Sequence, residues 1–267
     1  MGRVLIAYSG GVDSAFLLRV ARDEIGENAV PFIGLSPSLM PEEHDSALEL
    51  ARQMGIEVRV VETHEMEDPN YASNPTNRCY FCKSHLFDTL GQIARDEGFD
   101  TVCDGTNLDD MTEWRPGAQA GNERGIRSPL READLSKAEI RHLSRELGLP
   151  TWDKPAMPCL SSRIPYGTPV TSKALQMIGR AEAFLREGGL REVRVRHHEE
   201  NGRFCARLEA APDEMPALFE RRDAINERLR ELGYSSILLD LEGYKRGKMN
   251  DALGLRPTSQ PITLHLR

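Results

Sequence analysis

The chain has 267 residues, of which 39% are hydrophobic, and a formal net charge of −8 at pH 7. A chain of this length can bury one large core or a main domain with a smaller one, and its acidic balance argues against a large non-specific nucleic-acid surface. No apolar run is long enough to span a bilayer and no secretory leader precedes the first strand, so we expect a cytoplasmic protein whose five cysteines are reduced thiols or metal ligands.

The first half of the chain alternates apolar runs with segments of helical periodicity. The strand candidates are Arg3–Tyr8, Val30–Leu35, Glu57–Val61 and Thr101–Asp104. The helix candidates span about 14–25, 41–54 and 81–97, and a capping box of Ser136 and Glu139 opens a further helix that runs to Leu147. This series predicts an α/β fold with a doubly wound parallel sheet, whose ligands bind at the carboxyl ends of the strands.

The second half begins with a break in this pattern between Leu149 and Pro169, a stretch with five prolines that is either a linker or a functional loop. A smaller α+β unit is predicted after it, with helices at Ser172–Glu187 and Met215–Leu232 and strands at Arg191–His197, Phe204–Leu208 and Ser236–Asp240. We therefore expect an N-terminal domain over 1–150, a proline-rich loop or linker over 151–170 and a smaller C-terminal domain over 171–267, with a weakly patterned tail from Pro257.

The string Ser-Gly-Gly-Val-Asp-Ser follows the first strand and opens the first helix. Gly10 and Gly11 allow a close approach of the backbone, and the free N–H groups of the helix start favour phosphate, as do the hydroxyls of Ser9 and Ser14. Asp13 can either cap the helix or hold a Mg²⁺ that bridges phosphates. The turn lacks the Gly-Lys-Ser/Thr of a Walker A loop, and an ordinary capped βα turn is the simpler alternative.

Three of the five cysteines stand apart from apolar strands. Cys79 and Cys82 lie at the entrance of a predicted helix, and Cys159 lies in the proline-rich stretch, whereas Cys103 and Cys205 lie in predicted strands as small core residues. Three thiolates can hold a [4Fe–4S] cluster that leaves one iron open to another ligand, although four thiolates are commoner. Three unrelated reduced thiols are the alternative.

Arginines near Cys159 and on a later strand predict an anion pocket inside this acidic chain. Arg163 favours the thiolate of Cys159 and can hold an acidic substrate. Arg194 and Arg196 are two residues apart on a predicted strand, so their side chains point to one face and the two guanidiniums converge. An exposed strand face is the alternative for this pair.

Together these motifs resemble the LarE family, the ATP-dependent sulfur transferases of nickel-pincer nucleotide cofactor biosynthesis, which carry the PP-loop of the ATP pyrophosphatases. The resemblance extends from the first strand to at least Glu209. The motifs that carry it are Ser9–Ser14, Ser36-Pro37, Arg78–Lys83, Asp104–Asn107, Arg115–Gly117, Arg127–Leu130, Trp152–Pro155 and Pro158–Arg163.

The resemblance implies a role for individual residues and a substrate. The residues implied to bind the ATP phosphates and Mg²⁺ are Ser9, Gly10, Gly11, Asp13 and Ser14. Those implied to lie near the rest of the nucleotide are Leu35, Ser36, Asp104, Gly105 and Thr106. The implied substrate is pyridinium-3,5-biscarboxylic acid mononucleotide, whose carboxylates become thiocarboxylates, and Glu182 and Asp213 resemble the acidic residues of its site. The resemblance also implies a homo-hexamer.

The LarE family divides on its sulfur source. Members with only the equivalent of Cys159 give up its sulfur and end as dehydroalanine, whereas members with three cysteines hold a [4Fe–4S] cluster with a sulfide on the open iron. Because Cys79 and Cys82 are present here, we favour the cluster, loaded by inorganic sulfide or a sulfur carrier. The alternatives are the sacrificial Cys159, a tRNA thiolase of the same superfamily, and a non-catalytic nucleotide sensor or cluster carrier.

Overall fold

The computed structural model describes residues 2–111, 116–245, 248 and 254 of the chain. Its N-terminal part alternates strands and helices from the start. The strands are β1 (Val4–Ala7), β2 (Ala29–Leu35), β3 (Arg59–Glu62) and β4 (Thr101–Cys103). The helices are α1 (Val12–Ile25), α2 (Pro41–Gln53), α3 (Pro69–Ala72), α4 (Arg78–Glu97), α5 (Pro116–Glu123), α6 (Pro129–Glu132) and α7 (Lys137–Glu146).

The four N-terminal strands form one sheet in the order β3-β2-β1-β4, and all neighbouring strands are parallel. The predicted parallel sheet is therefore confirmed. Val4 and Ile6 of β1 face a core that includes α1 and α2, whereas Leu5 faces a second core that includes Phe87 and Leu90 of α4. Because successive side chains of a strand point to opposite faces, the continuous apolar run of β1 is buried on both of them.

The C-terminal part consists of a second sheet covered by helices. The elements are α8 (Ser172–Glu187), β5 (Val193–Glu200), β6 (Arg203–Ala210), α9 (Met215–Glu220), α10 (Arg222–Glu231) and β7 (Ser236–Leu239). Strand β6 pairs antiparallel with β5 and parallel with β7. Leu185, Val195, Leu208 and Leu229 are buried in the core that joins the helices to this sheet.

The single helix predicted over 215–232 is wrong, because α9 ends before Arg221 and α10 begins after it. At this break the guanidinium of Arg221 donates to the carbonyl of Gly188, in the turn after α8, at 2.5 Å and lies 5.8 Å from the Phe184 ring. Helical periodicity carries no information on such a tertiary contact. The break therefore could not be read from the apolar pattern.

Other helices and strands begin or end a few residues away from their predicted bounds. Helix α1 begins at Val12 instead of 14, and α4 begins at Arg78 instead of 81, which puts Cys79 and Cys82 inside the helix. The capping box is confirmed, since the Ser136 hydroxyl accepts from the Glu139 amide at 3.3 Å and the Glu139 carboxylate accepts from the Ser136 amide at 2.9 Å. The tail from Pro257 lies outside the described residues. None of the helices in the described ranges has the length and apolar character to cross a bilayer.

His197 links the stability of the C-terminal unit to pH. It is buried, its Nδ1 lies 3.1 Å from the Tyr234 hydroxyl, and burial lowers its pKa from 6.5 to about 4. The unfolded chain binds a proton that the folded protein rejects, so acidification from about pH 6.5 towards pH 4 favours unfolding.

We expect His197→Phe to flatten this dependence of stability on pH in urea titrations at several pH values. The control is His142→Gln, a change of an exposed histidine. If the free energy of unfolding of His197→Phe falls with acidification as steeply as that of the wild type, the assignment is wrong.

Candidate functional site

The turn between β1 and α1 lies at the carboxyl edge of the parallel sheet and is held in one shape. Gly10 adopts a φ of +68°, and a Cβ there would lie 2.4 Å from the Cβ of Ala47, so the position requires glycine on two grounds. The Ser14 hydroxyl accepts from the Ser9 amide at 3.1 Å, which closes the turn. A Cβ on Gly11 would meet only the Ser9 hydroxyl, at 3.5 Å, so this side of the turn has room for a ligand.

Asp13 is the second residue of α1 and does not cap it, because Gly11 occupies the N-cap position. Its Oδ2 accepts from Lys137 Nζ at 2.5 Å, while its Oδ1 is buried without a hydrogen-bond partner. A buried carboxylate oxygen without a partner fits a magnesium ion, which usually binds one or two carboxylates together with substrate phosphates and water. No group of three metal-ligating side chains converges on a single ion within the described ranges, and a magnesium ion carried by a nucleotide does not need one.

The residues predicted to contact the rest of the nucleotide follow β2 and β4 at the same edge. Leu35 ends β2 with 40% of its surface exposed, and the Ser36 hydroxyl bonds the Ser38 hydroxyl at 2.8 Å. After β4, the carboxylate of Asp104 accepts from the Thr106 hydroxyl at 2.8 Å. A Cβ on Gly105 would lie 3.0 Å from the amide nitrogen of Ser14, so the two turns meet closely.

The segment around Cys159 is tied to both parts of the molecule. The Leu160 amide donates to the Ser38 carbonyl at 2.8 Å, which joins the segment to the end of β2. The Ser161 hydroxyl bonds the Tyr71 hydroxyl at 2.7 Å, and both residues are buried. On the other side, Arg163 of the segment pairs with Glu182 of α8 at 2.8 Å, and its guanidinium also donates to the carbonyls of Pro158 and Cys159 at 2.6 and 3.0 Å. Cys159 therefore sits between the parallel sheet and the C-terminal unit.

Arg163 and Glu182 form an ion pair without solvent exposure, with Nε to Oε1 at 2.8 Å and Nη2 to Oε2 at 2.9 Å. Although burial alone would raise the pKa of Glu182, the neighbouring Arg163 and Arg186 hold it below its usual value. The Val195 amide also donates to Glu182, at 3.0 Å. These contacts leave Glu182 little capacity for a substrate, so its geometry is that of a positioning residue for Arg163 and thereby for the Cys159 segment.

Arg194 and Arg196 are both buried on β5, so the exposed strand face considered for them is wrong. Arg196 pairs with Glu209 at 2.7 Å and donates to the Ser162 carbonyl at 2.9 Å. The Arg194 guanidinium lies 4.7 Å from the centre of the Tyr244 ring, and burial lowers its pKa, as does the nearby Arg163. Asp213 lies in an exposed turn before α9.

The three candidate thiols lie on α4 and on the Cys159 segment. Burial raises the pKa of both Cys79 and Cys82, and Cys159 is close enough to them to raise it further. Cys79 is exposed, whereas Cys82 and Cys159 are half-buried. Burial raises the pKa of Cys82 to about 12, and the nearby Glu65 and Cys159 add to the rise. Cys103 and Cys205 are buried in β4 and β6, as expected for core thiols. Within the described residues the three candidate thiols lie near one another, but no three cysteine, histidine or acidic side chains converge there on one metal position.

Arg78 lies beside these thiols, and although it belongs to a motif that carries the resemblance, the sequence assigned it no role. It is 3% exposed, and no carboxylate pairs with it in the part of the chain that the structure describes. Its Nη1 donates to the Asn74 side chain at 2.5 Å and to the Ser161 carbonyl at 3.0 Å. Although burial alone would lower its pKa, its neighbours, of which Cys159 and Cys79 contribute most, hold the pKa above its usual value. A buried cation without a carboxylate favours negative charge on the thiols.

Glu65 and Lys137 were also missed. Glu65 is fully buried after β3, bonds the Ser36 hydroxyl and has one oxygen without a partner. Lys137 is the first residue of α7, where the helix dipole disfavours a cation. That local mismatch is a signal that sequence reasoning can use, whereas nothing local distinguishes Glu65 from a surface glutamate.

A cavity of 390 Å³ lies between α2 and the C-terminal unit. Lys154 on its wall pairs with Glu43 at 2.8 Å and donates to the Gly10 carbonyl at 3.4 Å, which connects the cavity to the turn between β1 and α1, the proposed phosphate turn. The residues that line it are Glu43, Lys154, Pro155, Met157, Arg186, Gly189, Leu190 and Arg191. Each of the three cations on its wall has a carboxylate partner, since Arg186 pairs with Glu182 at 2.5 Å and Arg191 with Glu214 at 3.4 Å. Arg115 of the predicted motifs lies outside the described residues.

The chain is similar to proteins along nearly its whole length. It is 49% identical to an uncharacterized protein of Synechocystis sp. over 95% of this chain and 94% of that protein. It is 36% identical to the pyridinium-3,5-bisthiocarboxylic acid mononucleotide synthase of Lactiplantibacillus plantarum over 94% of this chain and 90% of that enzyme. A more distant relative is a glutamine-hydrolyzing GMP synthase component of Halorubrum lacusprofundi, at 25% identity over 66% of this chain and 57% of that protein. No protein-family model matches the chain.

The buried ion pair gives a prediction on stability. Glu182→Gln removes the negative charge that compensates Arg163, and an uncompensated buried charge costs about 3 kcal/mol of the free energy of unfolding. Urea unfolding followed by circular dichroism measures the loss. Glu187→Gln, an exposed change on the same helix, should have little effect. A Glu182→Gln protein as stable as the wild type would show that the pair does not hold the segment.

Proposed function

The chain belongs to the LarE family, and from this membership we propose that it is an ATP-dependent sulfur transferase of nickel-pincer nucleotide cofactor biosynthesis. In the proposed reaction it adenylates the carboxylates of pyridinium-3,5-biscarboxylic acid mononucleotide and converts them to thiocarboxylates. The observation that carries the proposal is the bond from Leu160 to the Ser38 carbonyl, which joins the Cys159 segment to the sheet edge that holds the phosphate turn. Activation and sulfur delivery can then act on one bound substrate.

The activation step is assigned to the turn after β1. The amides after Gly10 and the hydroxyls of Ser9 and Ser14 would bind the ATP phosphates, and Asp13 would hold the magnesium ion through its unpartnered oxygen. Bound there, Mg²⁺ would supply charge neutralisation of the phosphates. A substrate carboxylate attacks the α-phosphorus, pyrophosphate leaves, and an acyl adenylate remains.

The residues proposed for the rest of the nucleotide are those at the ends of β2 and β4. The exposed Leu35 offers an apolar surface for the adenine, with Ser36 beside it. Asp104, Gly105 and Thr106 border the nucleotide on the other side of the turn.

Substrate binding is assigned to the cationic region between the sheet edge and β5. Arg194 and Arg196 supply buried positive charge, and the cavity beside Met157 adds Lys154 and Arg186. Arg194, with which no carboxylate pairs in the described residues, would compensate an anionic group of the substrate. Arg196, Lys154 and Arg186 would donate hydrogen bonds to the substrate while they keep their carboxylate partners. Asp213 would contact the substrate from the exposed turn before α9.

Sulfur delivery is assigned to Cys79, Cys82 and Cys159. A [4Fe–4S] cluster held by their thiolates, loaded from inorganic sulfide or a sulfur carrier, would supply sulfide as the nucleophile. Arg78 favours the thiolate form, and Arg163 holds the backbone around Cys159. Attack on the acyl adenylate forms the carbon–sulfur bond and releases AMP. The second candidate is the same reaction with Cys159 as the sacrificial donor, which its place next to the sheet edge also permits.

The organisation proposed for the chain follows the expected boundaries. Residues 1–150 would bind the nucleotide, 151–170 would carry the sulfur-transfer loop, and 171–267 would complete the substrate site. We propose a cytoplasmic homo-oligomer without a nucleic-acid partner.

The reaction separates into two measurable halves. With ATP, Mg²⁺ and the dicarboxylate mononucleotide, Cys159→Ser should still release pyrophosphate but form no thiocarboxylate, because only the sulfur step needs the thiol. Asp13→Asn should lower pyrophosphate release on the order of 100-fold. Pyrophosphate is measured by a coupled assay and the product by mass spectrometry. Release of pyrophosphate that does not depend on the dicarboxylate would contradict the proposed substrate.

The sulfur source is decided by metal content and by the mass of the protein. Anaerobically prepared and reconstituted protein should contain iron and sulfide, absorb as an iron–sulfur protein and turn over repeatedly with added sulfide. Cys79→Ala should lose most of the iron, whereas Cys103→Ala, a change of a core thiol, should keep it. Colourless protein whose Cys159 loses the mass of hydrogen sulfide after one turnover would establish the sacrificial route instead.

A further inference from the structure

The ion pair between Lys137 and Asp13 occupies the carboxylate that is proposed to hold Mg²⁺. Lys137 Nζ lies 2.5 Å from Asp13 Oδ2, and about a third of the Lys137 side chain is exposed (34%). The pair of Asp13 and Lys137 is therefore neutral as a whole, although Oδ1 of Asp13 has no hydrogen-bond partner. The ammonium group of Lys137 supplies beside Asp13 the positive charge that a metal ion would otherwise provide.

The lysine is held there by the fold. The capping box of Ser136 and Glu139 fixes the start of α7, and the Lys137 amide donates to the Asp109 carboxylate at 3.0 Å. Helix α7 packs against α1, so the first residue of α7 comes to lie beside the first turn of α1. A cation at the first position of a helix opposes the helix dipole, and the pairing with Asp13 offsets that cost.

We infer that Lys137 is an internal counter-cation that excludes divalent metal from Asp13 until the nucleotide arrives. This inference rests on the proposed function, because it takes the turn after β1 to be the site of Mg²⁺ and ATP. The phosphates of ATP offer the ammonium group a second anionic partner within the same turn. Once Lys137 turns to them, Asp13 can bind the metal that the nucleotide carries.

The inference makes metal and nucleotide binding depend on each other. Without nucleotide, a divalent cation has to displace an ammonium group from Asp13, so it binds weakly. With nucleotide, the displaced ammonium group gains phosphate contacts, so the metal binds tightly. Removal of the ammonium group should therefore raise the affinity for metal alone and weaken the coupling between metal and nucleotide.

The test is a titration of nucleotide-free protein with Mn²⁺, a paramagnetic substitute for Mg²⁺ whose free concentration is read by electron paramagnetic resonance. Lys137→Met should bind Mn²⁺ about tenfold more tightly than the wild type, and a second change of Asp13→Asn should abolish the gain. Lys137→Arg keeps the charge and should match the wild type. Lys173→Met removes an exposed lysine from α8 and controls for net charge.

A parallel titration with Mn²⁺ and ATP separates the inference from the proposed function, provided that the Mn²⁺ bound by ATP in a protein-free mixture is subtracted. Wild-type protein should bind Mn²⁺ much more tightly with ATP than without, and this ratio should shrink in Lys137→Met. If Lys137→Met binds Mn²⁺ with ATP but shows no gain for Mn²⁺ alone, the inference is wrong and the ATP site stands. If neither protein binds Mn²⁺ with ATP, the proposed function and the inference both fail. Lys137→Gln repeats the comparison should the methionine variant not fold.

Discussion

The buried ion pair between Arg163 and Glu182 fixes the segment that carries Cys159, and much of the candidate site depends on it. Neither side chain reaches solvent, so the loss of one would leave the other charge unpaired in the interior. The same guanidinium donates to the backbone on both sides of the Pro158–Cys159 bond. The shape of this proline-rich segment is therefore decided by α8 and β5, outside the segment itself.

The other side of the segment is held by the parallel sheet and α4. Ser38, after β2, accepts from Leu160, and Arg78 of α4 donates to the Ser161 carbonyl. These bonds join two units that each have a core of their own. A reaction that first activates a carboxylate and then delivers sulfur to it needs such a connection, because both groups have to reach one substrate atom in turn.

A cationic side chain lies at each region that would hold an anion in the proposed reaction. Lys137 lies at the phosphate turn, Arg78 at the thiols, and Arg194 at the region assigned to the substrate. Among these, Lys137 has a carboxylate partner within the described residues, whereas no carboxylate pairs with Arg78 or Arg194 there. Buried cations of this kind are costly without an anion, which is consistent with a site built for anionic ligands.

The sequence by itself determined the features that depend on local residue patterns. The glycine turn, the capping box at Ser136 and the parallel sheet follow from residue spacing and apolar periodicity, and the structure agrees with each of them. Only the tertiary structure decided the break at Arg221, the burial of Glu182 against Arg163, and the pairing of Asp13 with Lys137, 124 residues later in the chain. The physical reason is that periodicity reports which face of an element is buried, whereas the partner of a buried charge depends on how distant elements pack. At the phosphate turn, the sequence therefore identified Asp13 but not the lysine that occupies it.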